Sequence, residues 1–102
     1  MPPAHDTFRL HVPSTYGDGQ PASGALLHVI EQRLRVDFVD VDQVPCDMNR
    51  PCTVFAISAH DRSQVFASAR SIARLLLQPA AWIGLPNGHV TVLNVEVDGF
   101  FV

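Results

Sequence analysis

The sequence contains no lysine. All seven positive charges are arginines, set against ten acidic residues for a net charge of −3. Nucleic-acid binders usually carry a basic surface that displaces counterions from phosphate. That mode of binding is excluded here, except through a local arginine cluster or a neighbouring domain. Charged residues are scarce at 17% and apolar residues make up 47%, which excludes a disordered tail. No apolar run approaches the ~20 residues that a membrane helix needs. Met1-Pro2-Pro3-Ala4-His5-Asp6 has neither a basic start nor an apolar stretch, so no signal peptide is expected. The expected location is intracellular, cytoplasmic or nuclear, with no membrane contact.

The usual chemical signatures are also missing. Gly17-Asp18-Gly19 and Gly24 lack the lysine of a P-loop and the third glycine of a dinucleotide fingerprint. The histidines His5, His11, His28, His60 and His89 are scattered, and no pair has metal-ligand spacing on one helix. His60-Asp61 is explained by a helix cap, and Ser58, Ser63 and Ser68 have no evident base. Asp37, Asp40 and Asp42 read as a solvated strand face, since cation ligands normally come from a dedicated loop. Only two cysteines are present, Cys46 and Cys52, with five residues between them. Two thiols do not complete a zinc site, which takes four ligands. Free thiols are the expectation, with a loop disulfide open to an oxidising compartment. No catalytic residue, metal or cofactor is therefore expected, and the chain is not expected to be an enzyme.

What is present is a regular alternation of elements. The 102 residues suit one domain. Thr7-Phe8-Arg9-Leu10-His11-Val12 alternates polar and apolar residues and reads as a half-buried strand ended by Pro13. A Gly/Pro-rich loop follows over residues 13–24. Ser23 then caps a helix over residues 25–34, with Leu26 or Leu27, Ile30 and Leu34 on one face. Residues 36–42 read as a second strand and residues 43–51 as a loop. Residues 52–58 read as a strand buried on both faces. Val65, Ala69, Ile72 and Leu76 recur at helical spacing over about residues 63–78, the strongest periodic signal in the chain. Residues 79–88, with Trp82, read as a linker, and residues 90–97 as the last strand. The order β-α-β-β-α-β predicts an α+β two-layer sandwich, an antiparallel sheet with two helices on one face, either ferredoxin-like or KH-like. One domain over residues 1–102 is expected, with residues 1–6 and 99–102 flexible or bound to a partner.

Two of these segments resemble the KH family, which clamps four nucleotides of single-stranded RNA or DNA. Phe8-Arg9-Leu10-His11-Val12-Pro13 is similar to the family's opening strand with its Val-Pro end. Residues 54–76 are similar to its third strand and last helix: an apolar strand ending at Ser58, Val65 and Ala69 at helical spacing, and closing leucines. Where the family has its Gly-x-x-Gly loop this chain has Pro21-Ala22-Ser23-Gly24, with one glycine and no basic residue. The resemblance implies a degenerate KH-like domain that keeps the fold for protein contacts within a nucleic-acid-related assembly. The alternatives are a ferredoxin-like oligomeric domain binding a small ligand, or a phage or virion assembly component. The expected partner is a protein or a second copy, with nucleic acid weak or absent. The candidate contact residues are Phe100, Phe101 and Val102 at the apolar tail, and Arg70 and Arg74 one helical turn apart.

Mixed single-stranded oligonucleotides are accordingly expected not to bind with useful affinity. Fluorescence anisotropy at low salt checks this. Micromolar binding that weakens steeply with added salt would contradict the expectation.

Overall fold

Alternation along the first strand sets the two faces of the molecule. The structure, a computed structural model, describes residues 6–95. In β1 (Asp6–Pro13), Phe8, Leu10 and Val12 are buried on one face while Arg9 and His11 point to the other. α1 (Gly24–Asp37) follows, then β2 (Asp40–Val44), β3 (Cys52–Ala59), α2 (Arg62–Leu75), β4 (Ala80–Gly84) and β5 (Val90–Asn94). The sheet is antiparallel throughout, in the order β2-β3-β1-β4-β5. The first six elements form the βαββαβ unit and β5 is an addition at the β4 edge. The α+β class is as the sequence pattern predicts.

Both helices cover one face of the sheet. Ile30 and Leu34 of α1 and Val65, Ala69 and Ala73 of α2 join Phe8, Leu10, Phe55, Ile57, Val41 and Ile83 in a single core. Alanine at two of the three buried α2 positions lets that helix lie close to the sheet. Ser23 caps α1, its Oγ accepting from the Leu26 amide at 3.1 Å. Asp61 caps α2, accepting from the Ser63 amide at 2.9 Å and from the Ser63 hydroxyl at 2.8 Å.

Several boundaries differ from the sequence reading. α1 runs on to Asp37, because Glu31–Arg35 and Arg33–Asp37 are i,i+4 ion pairs that extend its last turns. Its Arg35 also donates to the Val41 carbonyl at 2.7 Å, and residues 36 and 37 close the helix, leaving residues 38 and 39 to turn the chain into β2. The expected linker over residues 79–88 contains β4. Ala81 and Ile83 point into the core and Ala80, Trp82 and Gly84 point away. Small residues and flanking prolines hid this short alternation. Asn87-Gly88 makes the turn into β5, with Gly88 at φ 91°. Cys46 and Cys52 are not free thiols: they form a disulfide across the β2–β3 loop, with 5.9 Å between their Cα atoms. The apolar tail Phe100, Phe101 and Val102 lies outside the described residues.

The end of α2 carries a backbone conformation that its sequence does not favour. The Gln78 amide donates to the Ala73 carbonyl and the Leu77 amide to the Arg74 carbonyl, the two bonds of a Schellman cap. The residue in the left-handed position is Leu77, at φ 56°, where glycine is usual. The loop after β1 docks on this cap, with the Gly17 amide donating to the Leu76 carbonyl at 2.8 Å. A Cβ at position 17 would collide with the Leu77 carbonyl, so this contact requires glycine. Leu77 is 65% exposed, so its side chain contributes little burial. Leu77→Gly is expected to stabilise the fold by about 1 kcal/mol through relief of the left-handed penalty. Urea unfolding measures it, and a destabilised variant would show that the Leu77 side chain outweighs its backbone.

Candidate functional site

The face of the sheet opposite the helices is not bare. Register places Arg9 and His11 of β1 beside Trp82 and Gly84 of β4, with Val90 and Val92 of β5 beyond them. The β2–β3 loop folds over this surface. Its Asp47 receives Arg9 Nη1 on one carboxylate oxygen and His11 Nε2 on the other, each at 3.2 Å. Three residues later, Arg50 lays its guanidinium over the Trp82 ring, 4.8 Å from the centroid. The Ser14 amide donates to the Pro51 carbonyl at 3.3 Å and ties the end of the loop to the end of β1. Two side chains of one loop thus reach across β1 as far as β4.

His11 is the one buried polar residue among those described, with a side chain only 2% exposed. Its Nδ1 lies 3.3 Å from the Trp82 carbonyl oxygen and its Nε2 faces the Asp47 carboxylate. Both partners are acceptors, so one ring proton serves one contact and the imidazolium serves both. Arg9 lies between two small neighbours, Ala56 and Gly84. A Cβ on Gly84 would come within 2.6 Å of the Arg9 Nε, so that glycine leaves room for the guanidinium. The hydrogen bond from His11, aided by the charges of His11 and Arg9, holds the Asp47 carboxyl below its ordinary value. Asp61 is also lowered, by its bonds from Ser63.

The arrangement offers an aromatic ring with an apolar flank, Trp82 beside Val92, next to two guanidiniums, an imidazole and an ionised carboxylate. Such a surface can stack a planar group and pair both signs of charge. A cavity of about 590 Å³ lies on the other side of the molecule between α1 and α2. Its lining mixes apolar Val29, Ile30, Ile72 and Leu75 with Gln64, Ser68 and Ser71, and its Arg33 and Asp37 are paired with each other. It has no aromatic ring and no buried polar side chain, so the open sheet face, with Trp82 and the buried His11, is the stronger candidate.

The residues expected to bind a partner are not brought together with this cluster. Arg70 and Arg74 sit on α2, in the helical layer. Asp40 and Asp42 stand on the open face of the edge strand β2, while Asp37 ends α1. Among the described residues, no group of three or more His, Cys, Asp and Glu side chains is placed to hold a metal. None of their helices is long and apolar enough to cross a membrane. The Arg9–Asp47–His11–Trp82–Arg50 cluster itself escaped the sequence reading. Its one available signal was the parity of Arg9 and His11 on β1. Nothing in the spacing ties residues 9 and 11 to residues 47, 50 and 82.

No family model matches the chain, and no curated protein does either. Among solved structures the fold is similar to that of a phage SAM lyase in complex with S-methyl-5′-thioadenosine. The TM-score is 0.54 at 12% identity, covering 95% of this chain and 93% of that one. This likeness is one of fold. It corrects the expectation that the chain is not an enzyme. That expectation rested on missing motifs, whereas the protein of similar fold is described as a lyase. Catalysis depends on groups placed by the tertiary structure, which a motif search does not see.

Asp47 titrates lower in the folded chain than its ordinary value of 3.8. Its pairing therefore contributes stability that is full above that value and is lost as pH falls through the folded value. The melting-temperature gap between the wild type and Asp47→Asn is expected to hold from about pH 5 to about pH 4 and to close below it. Thermal scans of both proteins check this. A gap unchanged at the lowest pH would show that the carboxylate's charge is not what the loop contact uses.

Proposed function

We propose that this protein is an enzyme acting on an adenosine-containing sulfonium, S-adenosylmethionine or a close analogue, bound on the open face of the sheet against Trp82. The observation that carries this reading is the joint placement of Trp82, Arg9 and Asp47 on one surface. A purine needs a flat apolar platform, which Trp82 with Val92 supplies. The aminoacid carboxylate of such a ligand suits Arg9, and its sulfonium suits the Asp47 carboxylate. A carboxyl held ionised by its neighbours serves better as a counter-ion to a cation than as a proton acceptor. The fold shared with a lyase that binds S-methyl-5′-thioadenosine gives independent support.

Arg50 occupies the ring in the free protein. An exposed cation–π contact is worth about 0.5–1 kcal/mol, whereas a base stacked on an aromatic ring is worth about 1–3 kcal/mol. Stacking wins, and the ligand displaces Arg50. The reaction that fits is cleavage of a carbon–sulfur bond. The sulfonium leaves as a neutral thioether with the bonding pair while an oxygen of the ligand's own carboxylate bonds to the carbon it departs from and closes a lactone, so atoms and charge balance with no cofactor and no added base.

Trp82 is the only tryptophan in the chain, so its fluorescence reports directly on the site. Titration with S-methyl-5′-thioadenosine, with and without a dithiol reductant, is expected to give saturable quenching. Chromatography after incubation with S-adenosylmethionine is expected to show the thioadenosine product. Trp82→Ala should weaken binding about tenfold or more, in line with ~1–3 kcal/mol of lost stacking. Arg9→Ala should weaken S-adenosylmethionine more than S-methyl-5′-thioadenosine, which lacks the carboxylate. Absence of both quenching and product would overturn the reading.

A further inference from the structure

The disulfide closes a small ring inside the β2–β3 loop, and the two side chains that cross the open face, Asp47 and Arg50, both lie within that ring. Little else holds the loop in place. Pro45, Asp47, Asn49, Arg50 and Pro51 are exposed and Met48 is half-buried, so no apolar residue of the loop is anchored in the core. The polar ties to the sheet are long, at 3.2–3.3 Å, and the Asp47 side chain is 53% exposed. Exposed contacts of this kind hold a free loop weakly, because ordering the loop costs conformational entropy. A covalent link between the loop's ends removes most of that cost in advance. Cys46 and Cys52 are themselves half-buried, within reach of a small thiol.

We propose that Cys46–Cys52 is a thiol–disulfide switch that latches the loop over the face bearing His11 and Trp82, and that its reduction by a dithiol opens that face to ligand. The gating half of this inference rests on the binding site proposed above. In the exchange, a thiolate of the reductant attacks one sulfur of the pair and displaces the other as a thiolate. The reductant's second thiol then attacks the mixed disulfide. The protein gains two electrons and two protons as Cys46 and Cys52 thiols, and the reductant leaves as its own disulfide. In the oxidised state Arg50 covers Trp82, and Asp47 occupies both Arg9 and His11. In the reduced state the loop is free to lift Arg50 from Trp82 and to release Arg9 and His11, with Asp47 left at the rim of the face, where its carboxylate can turn to the ligand's sulfonium.

Amide hydrogen exchange and Trp82 fluorescence on the oxidised and reduced full chain test the switch without any ligand. Exchange at the Ser14 amide, which is bonded to the loop's Pro51 carbonyl, is expected to rise at least tenfold on reduction, with a change in Trp82 emission and an unchanged far-UV circular dichroism spectrum. The double variant Cys46→Ser/Cys52→Ser should match the reduced state under oxidising conditions. Ser14 protection unchanged by reduction overturns the proposal, as does loss of the fold, which would make the disulfide purely structural. The gate is then tested with S-methyl-5′-thioadenosine, expected to bind the reduced protein at least tenfold more tightly. Equal, measurable affinity in both states overturns the gate. An opened loop with no binding in either state refutes the proposed ligand and leaves the switch standing.

Discussion

Everything in this molecule depends on β1 being the central strand with two unlike faces. It pairs with β3 on one side and with β4 on the other. Strand geometry turns successive side chains to opposite faces. Phe8, Leu10 and Val12 therefore enter the core beneath the helices, and Arg9 and His11 emerge together on the far side. A slip of one residue would bury an arginine and a histidine among Phe55 and Ile57 and expose three large apolar groups, so the register is strongly specified. The same constraint that builds the core delivers two polar side chains, side by side, to the surface where the chemistry of the molecule gathers.

That surface acquires its character from chain segments remote from β1. β4 contributes Trp82 and leaves a gap at Gly84 for the Arg9 guanidinium. The β2–β3 loop contributes Asp47 and Arg50. The cluster mixes charges of both signs with an aromatic ring, whereas a phosphate-binding surface would be uniformly basic. It agrees with the scarcity of positive charge in the chain as a whole: the seven arginines are not massed, and two of them are committed to one small patch beside a carboxylate. The cavity between α1 and α2 has its charges internally neutralised and carries no aromatic ring.

How much was legible beforehand differs by element. The apolar stripe of α2 and the alternation in β1 were readable because burial repeats at the period of the element, whereas β3, expected to be buried on both faces, sends Phe55, Ile57 and Ala59 into the core and leaves Ala56 and Ser58 half-buried. β4 was not, because Ala80, Ala81 and Gly84 are too small to register as a pattern between two prolines. The end of α1 was missed because ion pairs, not apolar spacing, carry its last turns. The disulfide was left as the less favoured alternative, since proximity of two cysteines in sequence does not establish the geometry that joins them.

By itself the sequence determined the α+β class, the two helices on one side of an antiparallel sheet, and the cap at Ser23; for the second helix it offered Ser58, Asp61 or Ser63, of which the structure uses Asp61. All of these are local consequences of periodicity and side-chain hydrogen bonding. The tertiary structure alone decided which polar residues meet. His11 reads as one of five scattered histidines until the sheet sets it against the Trp82 carbonyl and the loop sets Asp47 above it. Those partners lie 36 and 71 residues away along the chain. Contacts of that range arise only when strand pairing brings distant segments into register, and no local pattern in the residues encodes them.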